Sequence, residues 1–595
     1  MNPSPPAPTT EQVAEWLKQL RLSVITGASE ARQHVQHQWR KPLGERVTAG
    51  VALADICISA NEQNGELHLT CPVNRSRFRE GDLLLLHRGD PFEAPRITVT
   101  LEEDDETTLL VLIEDVGVDY GALLREPTGW VLDETIVDMS TLIVSALDDI
   151  ADSSIGREQI LPLLHGERTP LLDMQRYADA EAYAHAHGLN PDQTEALAAS
   201  YATNLAYLIQ GPPGTGKTRV LAHLARLLVQ DGERVFITAH THRAINHALN
   251  TVVQLAADDP PVIKVGQPAR AQDLLVTNYE YFNQSPFAES ESGYVVGATP
   301  FATRTRRLSD VTFDTVILDE ASQITLPLAM MAMLKARRYI IVGDHQQLPP
   351  VGAERLAADA LERSSIFGLL VGRGYDTLLT QTYRMNAELT RWPSQQFYDG
   401  RLQPATPAIA ERRIGYPQPP SQFSELLDPA TPAIWGVLEQ HHATSYNAAE
   451  AQLVADLLDT LLQCGLTPAQ IGVVSPYRVQ AREIRRRLKY RGMAYDLRRQ
   501  LVIDTVERLQ GQERDLIIVT LTTGARDFAA TVAAFLFQPQ RLNVAITRPR
   551  TKLIVLASPT LLTVVPEDAT IAAQIDLLAD FLHSLPTYPI AQGAP

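Results

Sequence analysis

Cysteine is scarce: Cys57, Cys71 and Cys464 are the whole set among 595 residues. An odd number with no C-x-x-C pair excludes a disulfide framework and argues against a zinc module, leaving a reducing, cytoplasmic setting as the expectation. Long apolar runs are missing too. No stretch approaches the ~20 residues a membrane helix requires, so no membrane partner is expected. The first ten residues are proline-rich, without the cationic-then-apolar order of a secretory leader, and residues 1–9 read as a disordered tail. Net positive charge is also lacking. A formal charge of −18 by itself argues against binding nucleic acid. Phosphate attraction depends on local charge, however, and residues 478–499 carry nine Lys or Arg against Glu483 and Asp496. On charge alone that run is a solvated helix.

An apolar content of 45% and a charged content of 21% are those of an ordinary globular protein, and the length calls for several cores. Residues 10–50 pattern as a stalk helix: Thr9 and Gln12 have capping-box spacing, and Val13, Trp16, Leu17 and Leu20 keep helical period. Over 51–118 the texture becomes short alternating runs. Ile56 and Ile58 precede a hairpin signal at Asn64-Gly65, then Leu67, Leu69 and Cys71 share a face, and apolar runs at 83–86, 97–101 and 109–113 flank an acidic turn at 102–106. That spacing predicts a small accessory β-barrel. Residues 119–184 return to helical texture. From 205 onward apolar strands (205–210, 235–239, 314–318, 339–342) alternate with helix-length segments. The pattern pauses in proline-rich 403–432 and resumes at 471–474, 501–504, 516–521 and 552–556. Alternation of this kind predicts an α/β fold with two tandem parallel domains, 185–365 and 366–560, followed by a C-terminal helix and tail over 561–595.

Gly211-Pro212-Pro213-Gly214-Thr215-Gly216-Lys217-Thr218 has the spacing of a P-loop between an apolar strand and an amphipathic helix. Its glycines let backbone N–H groups close around phosphates at a helix N-terminus. Lys217 is placed to reach the β- and γ-phosphates and the Thr218 hydroxyl to take a position on Mg²⁺. ATP and Mg²⁺ are therefore the expected cofactors. About a hundred residues on, Asp319 and Glu320 follow a second strand. Asp319 would hold the metal and Glu320 would polarise the attacking water. Alone, none of this separates a kinase from a GTPase or a motor.

Further segments do. Gly343-Asp344-His345-Gln346-Gln347-Leu348-Pro349-Pro350 resembles helicase motif III, and the other motifs fall in order around it: a Q-motif-like 189–193, 381–385 opening the second domain, 474–480 like motif IVa, 504–513 like motif V and 541–548 like motif VI. Together they are similar to superfamily 1B helicases, in the branch that includes the nonsense-mediated-decay helicase and the immunoglobulin-μ-binding helicase. The resemblance covers about 185–560 strongly and the barrel more weakly. It implies two RecA-like P-loop domains, with Gln193 reading adenine, Tyr383 stacking on the base, Gln347 and Glu513 sensing the γ-phosphate and ribose, and Arg384 and Arg548 as arginine fingers.

The same resemblance implies a strand-binding surface. Thr238, Thr241, His242 and Asn246 lie in a motif Ia-like segment, Thr299 and Pro300 in a motif Ic-like one, and Ser475, Pro476, Tyr477 and Thr505 in the second domain. Contacts of that type grip phosphates and carry little base specificity. His240, His242 and His247 have no acid or cysteine of suitable spacing to complete a metal set. The expected function is a nucleic-acid-dependent ATPase that translocates 5′→3′ on single-stranded DNA or RNA and unwinds duplexes. The alternative is an ATP-switched clamp or remodelling factor without processive unwinding, and a protein partner such as a separate nuclease fits either. Three departures accompany the resemblance: no Cys/His-rich regulatory domain, a short span between the Ia- and Ic-like segments, and Pro549 after motif VI where alanine is common.

Overall fold

The computed structural model describes residues 9–590 except 62–65, 79–80, 106, 116–122, 124, 256–259, 272, 292, 351–363 and 510. The expected turn at Asn64-Gly65, the tail 1–8, Gln510 and the last residues of the C-terminal tail lie outside the described residues. The helix Thr10–Trp39 opens on the capping box: Thr9 Oγ1 accepts from the Gln12 N–H (3.3 Å) and Gln12 Oε1 from the Thr9 N–H (2.7 Å).

Six antiparallel strands close a barrel: β1 (Ala52–Asn61), β2 (Glu66–Thr70), β3 (Leu83–His87), β4 (Arg96–Asp105), β5 (Thr108–Ile113) and β6 (Trp130–Glu134), in the order β1-β2-β5-β4-β3-β6. Two sequence expectations are corrected here. The barrel does not end at 118, because β6, assigned to the helical stalk, pairs with both β1 and β3 and removes the two edges that five strands would leave open. The acids 102–105 are not a turn either. They extend β4 against β5 through a bulge between Leu101 and Glu103. On the outer face of the barrel, opposite the core residues Trp130 and Leu132, Asp133 is 1% exposed and accepts from buried Arg46 of the helix Leu43–Thr48, with His87 Nε2 2.8 Å away.

The flanking helices are not an independent stalk. Leu17 from the first helix, Ala146, Leu147 and Ile150 from Ser140–Asp152, and Ala180 from Met174–Ala186 belong to the same continuous core as the first α/β lobe. That lobe's sheet comprises β7 (Ala206–Gln210), β8 (Arg234–Thr238), β9 (Val262–Val265), β10 (Asn278–Tyr279), β11 (Tyr294–Gly297), β12 (Thr315–Leu318), β13 (Arg338–Gly343) and β14 (Asp376–Leu378), in the order β10-β9-β11-β8-β12-β13-β7-β14 and parallel throughout. β14 pairs with β7, so the first lobe's sheet extends past the expected boundary at 365. A short pair, β15 (Gln381–Thr382) and β16 (Gln403–Pro404), leads into the second lobe.

There β17 (Ala433–Val437), β18 (Ile471–Ser475), β19 (Val502–Thr505), β20 (Arg514–Thr520), β21 (Pro549–Ala557) and β22 (Thr587–Pro589) form a parallel sheet in the order β19-β18-β20-β21-β17-β22. The segment expected as a C-terminal helix and tail is integral to this lobe. Its helix Ala569–His583 sends Ile575, Leu578, Phe581 and Leu582 into the core, and β22 supplies the sheet's edge strand.

The barrel docks on both lobes through its acids. Arg270 of the first lobe meets Glu102 (3.0 Å). From the second lobe Arg482 pairs with Asp104, Arg498 with Asp105 (3.6 Å) and Arg499 with Glu103, while Arg478 donates to the Arg77 carbonyl at 3.1 Å. Three more of the run pair within their own lobe: Arg486 and Arg487 flank Glu483, and Arg491 meets Asp456 and Asp459. The run that charge alone assigns to a solvated helix is largely engaged by protein carboxylates.

Removing one partner of a buried ion pair leaves the other charge stranded, at a cost of about 3–5 kcal/mol. Asp133→Ala should lower the opening free energy of the barrel by about that amount, read as faster amide exchange in β1 and β6. Exchange unchanged from wild type would show the pair to be dispensable.

Candidate nucleotide cleft and nucleic-acid interface

Parallel pairing points every strand's C-terminal end to one edge, and the functional loops collect there. Along the first lobe's edge the order is β7 with the P-loop, β13 with 344–347, β12 with Asp319 and Glu320, β8 with Thr238 to Asn246, and β11 with Thr299 and Pro300. With strands ~4.8 Å apart, this row separates the P-loop from the segment expected to bind a strand, as far as Thr299 and Pro300, by about 20 Å.

The P-loop is shaped by close approach. A Cβ on Gly211 would lie 1.9 Å from Lys217 Cγ, because the Lys217 side chain crosses the loop to donate from Nζ to the Gly211 carbonyl (2.6 Å). Gly214, at φ +74°, would put a Cβ 2.4 Å from the Arg384 Cβ of the second lobe. Thr382 Oγ1 donates to the Pro213 carbonyl (2.8 Å) and the Tyr383 N–H to the Gly214 carbonyl (2.8 Å), so the second lobe rests directly on the loop. Thr215 Oγ1 closes the turn on the Pro212 carbonyl (2.7 Å), Gly216 precedes the helix at φ +84°, and Thr218 stands in its first turn.

Gln193 has its amide committed inside the protein. Nε2 donates to the Thr215 carbonyl (3.0 Å), while Oε1 accepts from the Asn190 N–H (3.2 Å) in a capping box. Here it buttresses the P-loop, which the adenine-reading expectation did not anticipate. Tyr383 is 37% exposed, with its hydroxyl receiving Asn190 Nδ2 (3.0 Å), so its ring stands at the cleft rim.

Asp319 is buried, and its carboxyl pKa is pushed up by desolvation and by Glu320, against the pull of Lys217. Glu320 sits at φ +49°, ψ +41°, a left-handed conformation that costs a non-glycine residue ~1 kcal/mol or more and is characteristic of functional sites. Its Oε2 is buried without a hydrogen-bond partner. A crowded carboxylate pair beside a lysine suits a divalent cation. Thr218 and Asp319 offer the hard oxygen donors that Mg²⁺ prefers, with its remaining positions going to phosphate and water.

Across the cleft Gln347 is held at both ends: Nε2 donates to Asp344 Oδ2 (2.8 Å), and Oε1 accepts from Arg548 (3.4 Å). Arg548 is 2% exposed and also donates to the Val544 carbonyl (2.9 Å) and the Gln512 carbonyl (3.3 Å). Burial and the nearby Arg384 push its guanidinium pKa down to about 9, so an anion beside it would be welcome. Arg384 is bound by Glu513 Oε2 (2.7 Å) and the Thr547 carbonyl (3.0 Å). Glu513, expected to read ribose, is instead gripped by Arg384 and Arg550.

At the strand-binding end, Thr241 caps the helix His242–Gln254 by accepting from the Ala244 N–H (3.2 Å). Asn246 donates to the Arg270 carbonyl (3.2 Å). His242 is held neutral, its pKa pushed down to about 4 by burial and by Lys264, Arg270 and Arg307. Thr299 and the buried Pro300 open the short helix Pro300–Arg304. In the second lobe, Ser475 and Thr505 end the neighbouring strands β18 and β19, with Pro476 and Tyr477 following directly. Thr523 Oγ1 donates to the Tyr477 hydroxyl (3.1 Å), and Thr522, at φ +66°, is held by Glu450 through its N–H (3.1 Å). Buried polar groups nearly always find partners, yet Thr238 Oγ1, His242 Nδ1 and Thr505 Oγ1 have none. All three lie on the expected strand-binding surface. Arg304, part of the basic cluster after the Ic-like segment, turns away to Asp149 (2.6 Å) and Ser145 (2.7 Å). Sequence reasoning missed Tyr398 altogether: it lies between motifs, and nothing in its neighbours marks it.

A phosphate loop faced across a cleft by arginines of a second parallel lobe is the architecture of tandem RecA-like P-loop proteins. Residues 188–412 and 362–560 each match a family model described as an AAA domain. The chain is 30% identical over 405 residues to the DNA replication ATP-dependent helicase/nuclease DNA2 of Mus musculus, covering 62% of this chain and 37% of that protein. It is 32% identical over 423 residues to the Regulator of nonsense transcripts 1 homolog of Drosophila melanogaster (64% and 35% covered), and 31% over 417 residues to the ATP-dependent helicase NAM7 of Saccharomyces cerevisiae (62% and 42%). These similarities, over 405 to 423 residues, place the chain alongside proteins whose names include an ATP-dependent helicase and an ATP-dependent helicase/nuclease. The chain spans between 26% and 54% of the length of such relatives.

Burial alone would raise the Glu513 carboxyl, but Arg384 and Arg550 overturn that and hold it at about 2, against an ordinary 4.5. A depressed folded pKa stabilises the native state above the unfolded value, and the contribution disappears as pH falls from about 4.5 through about 2. Glu513→Gln should therefore flatten the acid limb of the stability–pH curve over that window, measured by denaturant unfolding. Parallel curves for the two proteins would rule the coupling out.

Proposed function

We propose that this chain is a nucleic-acid-dependent ATPase that translocates on single-stranded DNA or RNA, 5′→3′, and unwinds duplexes. The observation that carries the reading is the contact of the two lobes across the P-loop: Gly214 against Arg384, and Gln347 against Arg548. In this reading Lys217 and the P-loop backbone bind the ATP phosphates, Thr218 and Asp319 hold Mg²⁺, and Glu320 orients the attacking water. Tyr383 packs on the base, and Gln193 keeps the P-loop in shape behind the nucleotide. Arg384 and Arg548 neutralise charge developing on the transferred phosphoryl group. Because they come from the other lobe, hydrolysis requires closure, and closure moves one strand-gripping surface relative to the other. Thr238, Thr241, His242, Asn246, Thr299 and Pro300 form one such surface, and Ser475, Pro476, Tyr477 and Thr505 the second. The partnerless Thr238, His242 and Thr505 atoms support this placement, since phosphate or sugar groups would satisfy them. The relatives' printed names, which include helicases and one helicase/nuclease, support the same activity.

Lys217→Ala is expected to abolish hydrolysis, and Glu320→Gln to bind ATP without turning it over; near-normal turnover in either would refute the site. Arg548→Ala should lower kcat by about 10³-fold while nucleotide affinity stays close to wild type. An unchanged kcat would remove it from the finger role. For the reading as a whole, the ATPase rate is measured with and without unstructured single-stranded DNA and RNA, alongside strand displacement on duplexes with a 5′ or a 3′ tail. Stimulation and displacement from the 5′ tail are expected. Stimulation without displacement would make the chain a switched clamp, and no stimulation by either strand would refute the reading.

A further inference from the structure

Tyr398 lies just after the helix Ala387–Phe397 of the second lobe, and 2% of it is exposed. Its hydroxyl is used twice. It donates to Asp344 Oδ2 of the first lobe (2.8 Å) and accepts from Asn543 Nδ2 (2.9 Å). Burial and the Asp344 carboxylate keep the phenol's pKa well above its ordinary 10, so it remains a donor to Asp344 at any working pH. Both partners lead to the nucleotide cleft. The same Asp344 oxygen receives Gln347 Nε2, and Gln347 Oε1 meets Arg548. Asn543 Nδ2 also donates to the Gln346 carbonyl (2.8 Å), and its helix, Pro539–Ile546, ends two residues before Arg548. The connection is thus a closed circuit, Arg548–Gln347–Asp344–Tyr398–Asn543, with Arg548 tied back to the helix of Asn543 by its bond to the Val544 carbonyl. Asn543 Oδ1 is buried with no partner, so the amide has an acceptor in reserve if the circuit rearranges.

We infer that Tyr398 is a positioning residue whose phenol keys the 344–347 loop of the first lobe to the Arg548-bearing helix of the second, so that Gln347 and Arg548 come to the γ-phosphate in register. The inference rests on the function proposed above. Without the hydroxyl, the lobes keep their apolar packing and both strand surfaces, but the finger and the sensing glutamine no longer arrive together. The loss should fall on turnover rather than on binding.

The test uses the full chain, with steady-state ATPase at saturating single strand, thermal unfolding, and strand affinity by fluorescence anisotropy. Tyr398→Phe keeps the ring. Its kcat should fall about tenfold or more, while KM for ATP and strand affinity stay within about threefold. Asn543→Ser opens the circuit on its other side, so it should give the same split, and the double variant should be little worse than the poorer single one. A merely structural role predicts the opposite pattern: a lower unfolding midpoint, KM and strand affinity worsening together, and losses that multiply in the double variant. That pattern, or a wild-type kcat in Tyr398→Phe, would overturn the inference. Should Tyr398→Phe fail to fold, Asn543→Ser decides alone, and its normal kcat overturns the inference equally. A wild type indifferent to both DNA and RNA would remove the proposed function and this inference with it. A stimulated wild type beside an equally stimulated Tyr398→Phe would remove the inference only.

Discussion

Parallel pairing is the constraint on which everything else here depends. A parallel strand can be reached only by a crossover, so all eight strands of the first lobe run the same way and their exits form one row. The P-loop, the acid pair, the 344–347 loop and the strand-facing threonines therefore share an edge without any of them being close in sequence. Sheet order arranges them within that row. The phosphate loop on β7 and the Ia-like segment on β8 are consecutive in the chain, yet β13 and β12 lie between them in space. Those two intervening strands carry the residues that answer to both ends.

The second lobe uses its sheet differently. Ser475 and Thr505 stand at the C-terminal ends of β18 and β19, whereas Glu513 and Arg548 stand just before the N-terminal ends of β20 and β21. Under the proposed function, the groups assigned to the nucleotide and those assigned to the strand occupy opposite edges of one sheet, so a rotation that brings Arg548 towards the P-loop moves Ser475 and Thr505 as well. Charge sharpens the arrangement. Arg384 stands close enough to the buried Arg548 to disfavour its charge, and Glu513 binds Arg384 directly. A cleft that gathers positive charge in a desolvated place favours the arrival of phosphate.

The barrel shows how the same charges can be read two ways. A run of nine basic residues in a chain of net −18 reads, on charge alone, as a solvated helix. In the folded chain Arg482, Arg498 and Arg499 meet Asp104, Asp105 and Glu103, and Arg270 brings the first lobe to Glu102. Four consecutive acids can serve both lobes because they extend a strand rather than curl into a turn. That outcome depends on the bulge between Leu101 and Glu103 and on pairing with β5, which are long-range facts.

Local pattern was enough for the elements and for the phosphate chemistry. The capping box at Thr9, the strands entering Gly211 and Asp319, and the alternation of the barrel runs are each set by neighbours a few residues apart, and the ordered motifs carry the family resemblance. Sequence alone could not supply what depends on who meets whom. It placed the barrel's end at 118 because β6 is legible only as the partner of β1 and β3, and it put β14 in the second domain and β22 in a tail because three-residue strands exist only by pairing with a formed sheet. It gave no sign that the Gln193 amide would donate to the Thr215 carbonyl of the P-loop. It passed over Tyr398, an ordinary aromatic in an ordinary helix end, because a hydroxyl's role is defined by an aspartate 54 positions away and an asparagine 145 positions away. Periodicity and turn chemistry are written in the chain, but hydrogen-bond partners across a cleft are chosen only when two lobes, each already folded, are brought face to face.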